Sequence, residues 1–395
     1  MRRIFLTAAG LLSLLHIYSQ KGDSSFKSRK LKIDEINLVS SYYKQDGNNA
    51  AVTGGIGSQK LTDFANVIDI NLIRYDKKQR KHSIGMEMGI DHYTSASSDK
   101  VDLKANSSAS GSDTRLYPSL SWSRENSEKG TSIGAGLSYS GEYDYQSFGG
   151  NINFSAKTKN RNGELTAKFQ AFLDQVDKII PVELRTGAST DNAPKDISAR
   201  NTFAATLSWS QIVNKELQVM ILGDVIQQEG YLGLPFYRVY FQDGSVHQEK
   251  LPSNRTKIPI GLRASYFAGD KIILRGYYRF YTDSWGIRSN TASLEVPVKI
   301  TPFISVSPFY RYYNQSASSF FAPYREHTNY DAFYTSNYDL SKFSSSFFGA
   351  GIRLAPPAGI LGITHLSMIE LRYGHYSKNI DMSANVITLN VKLKY

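Results

Sequence analysis

Segments of about ten residues in which apolar side chains take every second place recur along most of this chain. Ile84, Met86, Met88 and Ile90 alternate with Gly85, Glu87, Gly89 and Asp91. Ile133, Ala135, Leu137 and Tyr139 alternate with Gly134, Gly136, Ser138 and Ser140. Leu165, Ala167, Phe169, Ala171 and Leu173 repeat the pattern, as do Ala292, Leu294, Val296, Val298 and Ile300. A period of two puts alternate side chains on opposite faces of a strand, whereas the helical period is almost nowhere to be found. About sixteen strands can be marked this way. They fall at 35–45, 65–76, 82–93, 113–124, 131–143, 147–157, 164–175, 201–212, 216–228, 256–267, 271–283, 287–300, 303–314, 345–355, 365–376 and 385–395. That length suits a tilted strand crossing the hydrocarbon of a membrane.

The connections alternate between long and tight. Long polar or aromatic stretches lie at 46–64, 94–112, 176–200, 229–255 and 315–344. Tight turns read "DKKQRK", "ENSEKG", "VNKE", "AGD", "TP" and "PPAG". Two connections on the long side, near 144–146 and 284–286, are short. After residue 19 no run of 18 apolar residues occurs, so a chain of this kind that spans a membrane must do so as a closed barrel. The expected fold is therefore all-β: a transmembrane antiparallel up-and-down β-barrel of about sixteen strands, with short periplasmic turns and long extracellular loops. A soluble sandwich or propeller would not alternate its turn lengths, and no propeller-like repeat is visible.

The first residues read "MRRIFLTAAGLLSLLHIYSQ". Arg2 and Arg3 precede an apolar stretch, Ile4 to Ile17, and small Ser19 offers a cleavage site. This is the pattern of a secretory signal peptide, and it is too short for a comfortable transmembrane helix. The expected organisation is a signal peptide at 1–19, a short basic periplasmic segment at 20–34 and a barrel at 35–395. Removing Arg2 and Arg3 takes the formal charge from +11 to +9. A basic exported chain points to lipid head groups or anionic solutes rather than nucleic acid. There are 26 Tyr and 30 Gly, a bias toward strands. The absence of Cys excludes disulfides, thiolate metal sites and a lipid-anchored Cys.

The last nine residues, "ITLNVKLKY", form a full strand pattern. A barrel has no free edge, so its last strand must pair with its first. Ile387, Leu389, Val391, Leu393 and Tyr395 then face lipid, with Tyr395 in the interfacial aromatic girdle. Alternating apolar residues closed by an aromatic resemble the C-terminal assembly signal of outer-membrane proteins as a class, which the barrel-assembly machinery reads. Outer-membrane lipid and that machinery are the expected partners.

If one set faces lipid, the other faces the lumen. Early strands turn Asp69, Glu87, Asp91, Glu142 and Asp174 inward. Later strands turn Arg263, Arg275, Arg279, Lys299, Arg311, Arg353, Arg372, Lys392 and Lys394 inward, with Glu295 and Glu370 as acidic exceptions. Charges of this number do not sit unpaired in a dry core, so either water fills the lumen or the walls pair across it. Sixteen strands leave room for an aqueous channel, and excess Arg favours anions. The alternative is that Arg and Glu of neighbouring strands simply neutralise each other. The 315–344 stretch holds Phe320, Phe321, Tyr324, Tyr330, Phe333, Tyr334, Tyr338 and Phe343, too many aromatics for a free loop. It is expected to pack into or over the mouth. A hairpin is expected around Asp243-Gly244.

No HExxH, GxSxG, phosphate-loop or EF-hand pattern occurs, and the seven His are scattered. His92 and His375 have lipid-facing parity near the outer rim, His82 and His365 lie near the periplasmic end, and His247 and His327 are in loops. No catalytic residue, metal site or cofactor is expected.

Three stretches carry a resemblance: "YPSLSWSRENSEKGTSIGAGLSYSGEYDYQSFG" (117–149), "EGYLGLPFYRVYF" (229–241) and "FFAPYREHTNYDAFYTSNYDLSKF" (320–343). Through them the chain resembles the exported β-barrel family catalogued as domain of unknown function 3570, best known from Bacteroidota. The resemblance implies an outer-membrane location over residues 31 to the end and brings no activity or site residues. Relatives are often encoded near thioredoxin-like and flavin-transferase-like proteins, which hints at redox or cofactor handling. The expected function is a pore or conduit for small polar or anionic solutes. The alternative is a plugged barrel that docks or assembles an envelope complex, with a redox link to partners the sequence does not identify.

Overall fold

The computed structural model describes residues 28–94, 112–178, 180–181, 184, 196–234 and 236–395. The expected signal peptide and most of segment 20–34 lie outside these residues, as do most of the long connections 94–112 and 176–200.

The first half of the wall is β1 (Lys32–Gly47), β2 (Leu61–Tyr75), β3 (Lys81–Thr94), β4 (Ser112–Asn126), β5 (Thr131–Gly141), β6 (Tyr145–Lys157), β7 (Gly163–Lys178), β8 (Asp196–Ile212) and β9 (Leu217–Gly230). A small hairpin, β10 (Arg238–Tyr240) and β11 (Val246–Gln248), stands apart from the wall. The second half is β12 (Asn254–Ala268), β13 (Ile272–Asp283), β14 (Arg288–Glu295), β15 (Val298–Lys299), β16 (Ile304–Gln315), β17 (Phe343–Leu354), β18 (Leu366–Lys378) and β19 (Met382–Lys394). Each wall strand pairs antiparallel with its neighbours. β1 closes the ring on β19, from Glu35 opposite Lys394 to Gly47 opposite Met382. With β14 and β15 forming one pass, this is a closed barrel of 16 strands.

Several details differ from the pattern reading, among them the starts of β2 at Leu61 and β8 at Asp196 rather than 65 and 201. The segment expected as one strand at 287–300 is broken after Glu295. Pro297 has no N–H for the ladder, so its place in a paired strand opens a gap. The wall also begins at Lys32, three residues before the expected boundary.

The short turns follow from their own side chains. In "DKKQRK", the Asp76 carboxylate accepts from the backbone N–H of Lys78 (2.9 Å) and Arg80 (3.0 Å) and pairs with the Arg80 guanidinium. Arg80 foremost holds the Asp76 carboxyl well below the usual carboxylate range. At the opposite end the connections are long, with three exceptions. The turns at 142–144 and 284–287 match expectation, and the three-residue turn 379–381 is an additional short one.

The two faces of the wall are chemically distinct. Leu137 is 69% exposed, Ile152 60%, Leu207 57% and Ile352 57%, all on the outward parity. A soluble sandwich would bury such residues. A continuous outer band of exposed Leu, Ile and Phe requires an apolar surrounding. No helix among the described residues is long and apolar enough to cross a membrane. Ile387, Leu389 and Tyr395 belong to this exposed face, and the His365 ring stacks on Tyr395 at 4.6 Å. His92 and His375 also lie on outward parity, bonded to Thr114 and Asn385.

Candidate functional site

Inward-facing side chains define the site. Asp69, Glu87 and Asp91 sit at odd positions of β2 and β3, opposite the exposed even-numbered Ile68, Met88 and Ile90. Arg263, Arg275, Arg279, Glu295, Arg311, Arg353 and Arg372 share this inward parity in β12 to β18, and Lys299 continues it in β15 at the short-turn end. Glu142 follows β5 in the 142–144 turn. Inward charges at mid-strand remain accessible: Glu87, Arg263 and Arg311 are exposed, and the Arg275 side chain is 51% exposed. A lumen packed with side chains would bury them. The middle of the barrel is hollow, in keeping with its strand number.

The two walls satisfy their charges differently. Carboxylates of the early strands are held mainly by neutral donors. Tyr117 donates to Asp91 (2.7 Å), Tyr93 to Glu142, Tyr145 to Asp174, and Asn37 to Asp69 (3.1 Å). Strand parity marks these tyrosines as inward, but the partner each one meets depends on cross-strand register, which the sequence does not display. The early wall is also less uniformly acidic than its strand pattern suggests. Arg115, Lys168 and Arg200 face inward there too, and Arg115 donates to Ser140 (2.7 Å) rather than pairing with the opposed Asp91.

On the later wall, Glu295 receives Arg372 at 3.2 Å and Arg275 at 3.9 Å, and Glu370 receives Arg372 at 3.0 Å. Lys392 pairs with Glu35 across the closing seam at 3.0 Å. Among the described residues, Arg263, Arg279 and Arg311 make no ion pair. Arg263 lies over the Tyr277 ring at 5.3 Å and Arg311 over Phe347 at 5.0 Å, while the Arg279 Nε is buried without a hydrogen-bond partner. The wall thus combines neutralising pairs with free guanidinium groups.

The long-loop end is covered. The hairpin of β10 and β11 turns at Asp243-Gly244 as its sequence requires, with Gly244 at φ +85°. Loop 231–253, which carries it, packs against loop 316–342. Phe241 meets Tyr334 edge-on at 4.9 Å and His247 at 4.4 Å, and Trp285 of the β13–β14 turn meets Phe320 at 5.9 Å. Val239, Phe241, His327 and Thr335 are buried there, a small core made wholly of loops. Arg238 donates to the Val52 carbonyl (2.9 Å) in the loop after β1, and Tyr240 lies where a Cβ on Gly54 would stand. From the other side, Arg200 of β8 donates to the carbonyls of Tyr231 (2.9 Å) and Gly233 (2.7 Å). β1 and β8 are nearly diametrically placed in the ring, so this cap bridges the mouth. The aromatic loop therefore does pack over the opening.

Glu249 lies inside the cap. Its carboxylate accepts from Thr335 Oγ1 and from the backbone N–H of Leu234 (2.8 Å), with Arg200 and Tyr231 nearby. Burial pushes it up to about 7, against the pull of those donors and of Arg200. Neither the burial of Glu249 nor the cap's attachment to Val52 leaves a periodic signal in the sequence.

A closed wall, apolar outside and charged inside around a hollow, defines a transmembrane β-barrel with a charged lumen. The chain belongs to the family described as "Protein of unknown function (DUF3570)", whose profile matches residues 76–379. A search among curated proteins finds no match. Among solved structures, the chain is similar to Pseudomonas aeruginosa OccK9 (OpdG), at 9% identity and TM-score 0.44, covering 92% of this chain and 98% of that one. It is also similar to a BenF-like porin from Pseudomonas fluorescens Pf-5, at 7% identity and TM-score 0.44, covering 91% and 98%. Pseudomonas aeruginosa OpdQ gives 9% identity and TM-score 0.44, covering 93% and 99%.

Proposed function

We propose that the protein is a pore for small polar or anionic solutes in a bacterial outer membrane, with its short turns in the periplasm and its capped loops outside. The observation that carries this reading is the accessibility of inward charges at mid-strand, above all Glu87, Arg263 and Arg311. Exposed charges of both signs require water in the lumen. Guanidinium groups without carboxylate partners give that water a field that favours anions. In this reading the cap over the mouth sets the size limit, and the hollow beneath it is the conduit. In this orientation the row from Ile387 to Tyr395 is the signal read by the barrel-assembly machinery, and Tyr395 lies at the periplasmic interface. The chemistry assigned is passage, with no reaction and no cofactor.

Planar-bilayer recording of the refolded protein tests this. Discrete conductance steps with a preference for chloride over potassium are expected. A correctly folded barrel, judged by heat-modifiable migration, that stays electrically silent would overturn the reading.

A further inference from the structure

Several apolar side chains interrupt the lumen wall, among them Phe172 opposite Gly149 and Leu222 opposite Gly261, and one such group is flanked by guanidinium groups. The lumen is lined mainly by hydroxyls, amides and charges, yet β16 and β17 turn two phenylalanines inward, Phe309 and Phe347, 5.0 Å apart and both only half-buried. They overlie small residues. A Cβ on Gly374 would come within 2.5 Å of Phe347, and one on Gly349 within 2.8 Å of Phe309. Paired directly across the β17–β18 ladder, these glycines form a flat floor on which the rings lie. Arg372 sits over Phe309 at 5.1 Å and Arg311 over Phe347 at 5.0 Å. Together with Glu295, Ser293 and Thr388 these side chains line a hollow of about 290 Å³.

The charge within this hollow is unbalanced in a specific way. Glu295 and Glu370 are both engaged by Arg372, and Glu295 also by Arg275. Arg311 is left exposed, with a ring beneath it and no carboxylate partner among the described residues. A guanidinium stacked on a phenyl ring keeps its in-plane N–H donors free, and those donors match one carboxylate in a two-point bond. Exposed phenyl surface beside it favours a flat apolar body over water. The volume is at the lower limit of small-molecule sites and admits a single ring.

From this geometry we infer that the Arg311–Phe347–Phe309–Arg372 hollow is a lumenal binding site for a small monoanion with a flat apolar body, of the aromatic carboxylate class. The inference deepens the pore reading and rests on it for access to the lumen. The carboxylate meets Arg311, the ring lies along Phe309 and Phe347, and Ser293 and Thr388 offer hydroxyls at the rim. Glu295 keeps Arg372 and Arg275 in place and repels a second negative charge.

The test uses the full chain refolded in detergent, with sodium benzoate and sodium acetate as probes, in ligand-observed NMR titrations. Benzoate is expected to bind saturably and more tightly than acetate. Arg311→Gln weakens benzoate binding about tenfold or more, the loss of a charge-assisted bond. Phe347→Leu weakens benzoate but leaves acetate unchanged. Heat-modifiable migration establishes that both variants keep the barrel. Equal affinity for the two probes, or unchanged benzoate binding in both variants, overturns the site. Bilayer recording separates this outcome from the fate of the pore. A barrel that conducts but does not bind benzoate refutes the site alone, whereas one that binds benzoate and never conducts refutes the pore alone.

Discussion

Gly89 on β3 faces Tyr117 directly across the ladder, and a Cβ there would stand 1.9 Å from the tyrosine ring. The absence of a side chain lets Tyr117 lie against the wall and reach Asp91 with its hydroxyl. Gly89→Ala is expected to displace the ring and lower stability by about 1–3 kcal/mol, as overpacking does, read as a lower temperature of gel-shift unfolding. Glu249 sets a second expectation. Its carboxyl is raised from the ordinary value of 4.5 to about 7 by burial. A raised group contributes its stability in full below the unfolded value and loses it as pH rises through the folded one. The cap should therefore be tightest below pH 4.5, loosen as pH rises toward about 7, and level off beyond it. Limited proteolysis of the 231–253 loop should accelerate over that window, and Glu249→Gln should flatten the dependence. The inward parity of Tyr117 and the glycine opposite it are both visible in the sequence. Their meeting is not, because it is decided by register across a connection of unrelated length.

At the scale of elements, the alternation of apolar residues was sufficient to place the strands, since a two-residue period with one face in lipid leaves few other arrangements. It sets some strand ends a few residues short, and it misleads about pairing at 287–300, where the side-chain pattern runs on through Pro297 although the backbone ladder does not. The loops are the harder case. Their aromatic content shows that they must pack, but loops have no period from which a partner can be read. That is why the docking of Arg238 on Val52 emerges only from the folded chain. Arg238→Ala removes that attachment and leaves the wall untouched. Larger single-channel conductance with unchanged heat-modifiable migration is expected. An unaltered conductance would show that the cap does not limit flow.

Across the whole molecule, acidic residues gather on the strands from β2 to β7 and arginines without an ion pair mainly on β12, β13, β16 and β17, roughly facing each other in the ring, with Arg115 of β4 an exception on the acidic side. Much of this asymmetry could be read from strand parity, but which arginines are neutralised could not, because Arg372 reaches Glu295 from three strands away. The free ones should dominate selectivity. Replacing Arg263, Arg279 and Arg311 together by Glu is expected to turn anion preference into cation preference in reversal-potential measurements. The same exchange at Arg275 alone should act mainly by disturbing its ion pair with Glu295.

The cap has a mechanical consequence as well. A tube made from one continuous sheet resists stretching along its hydrogen bonds but flattens easily, because bending costs little where neighbouring strands merely pivot. By tying the β1 rim to the β8 rim through Arg238 and Arg200, the cap acts as a strut across the tube. It holds the cross-section round at the end where most neighbouring strands are joined by long loops rather than short turns.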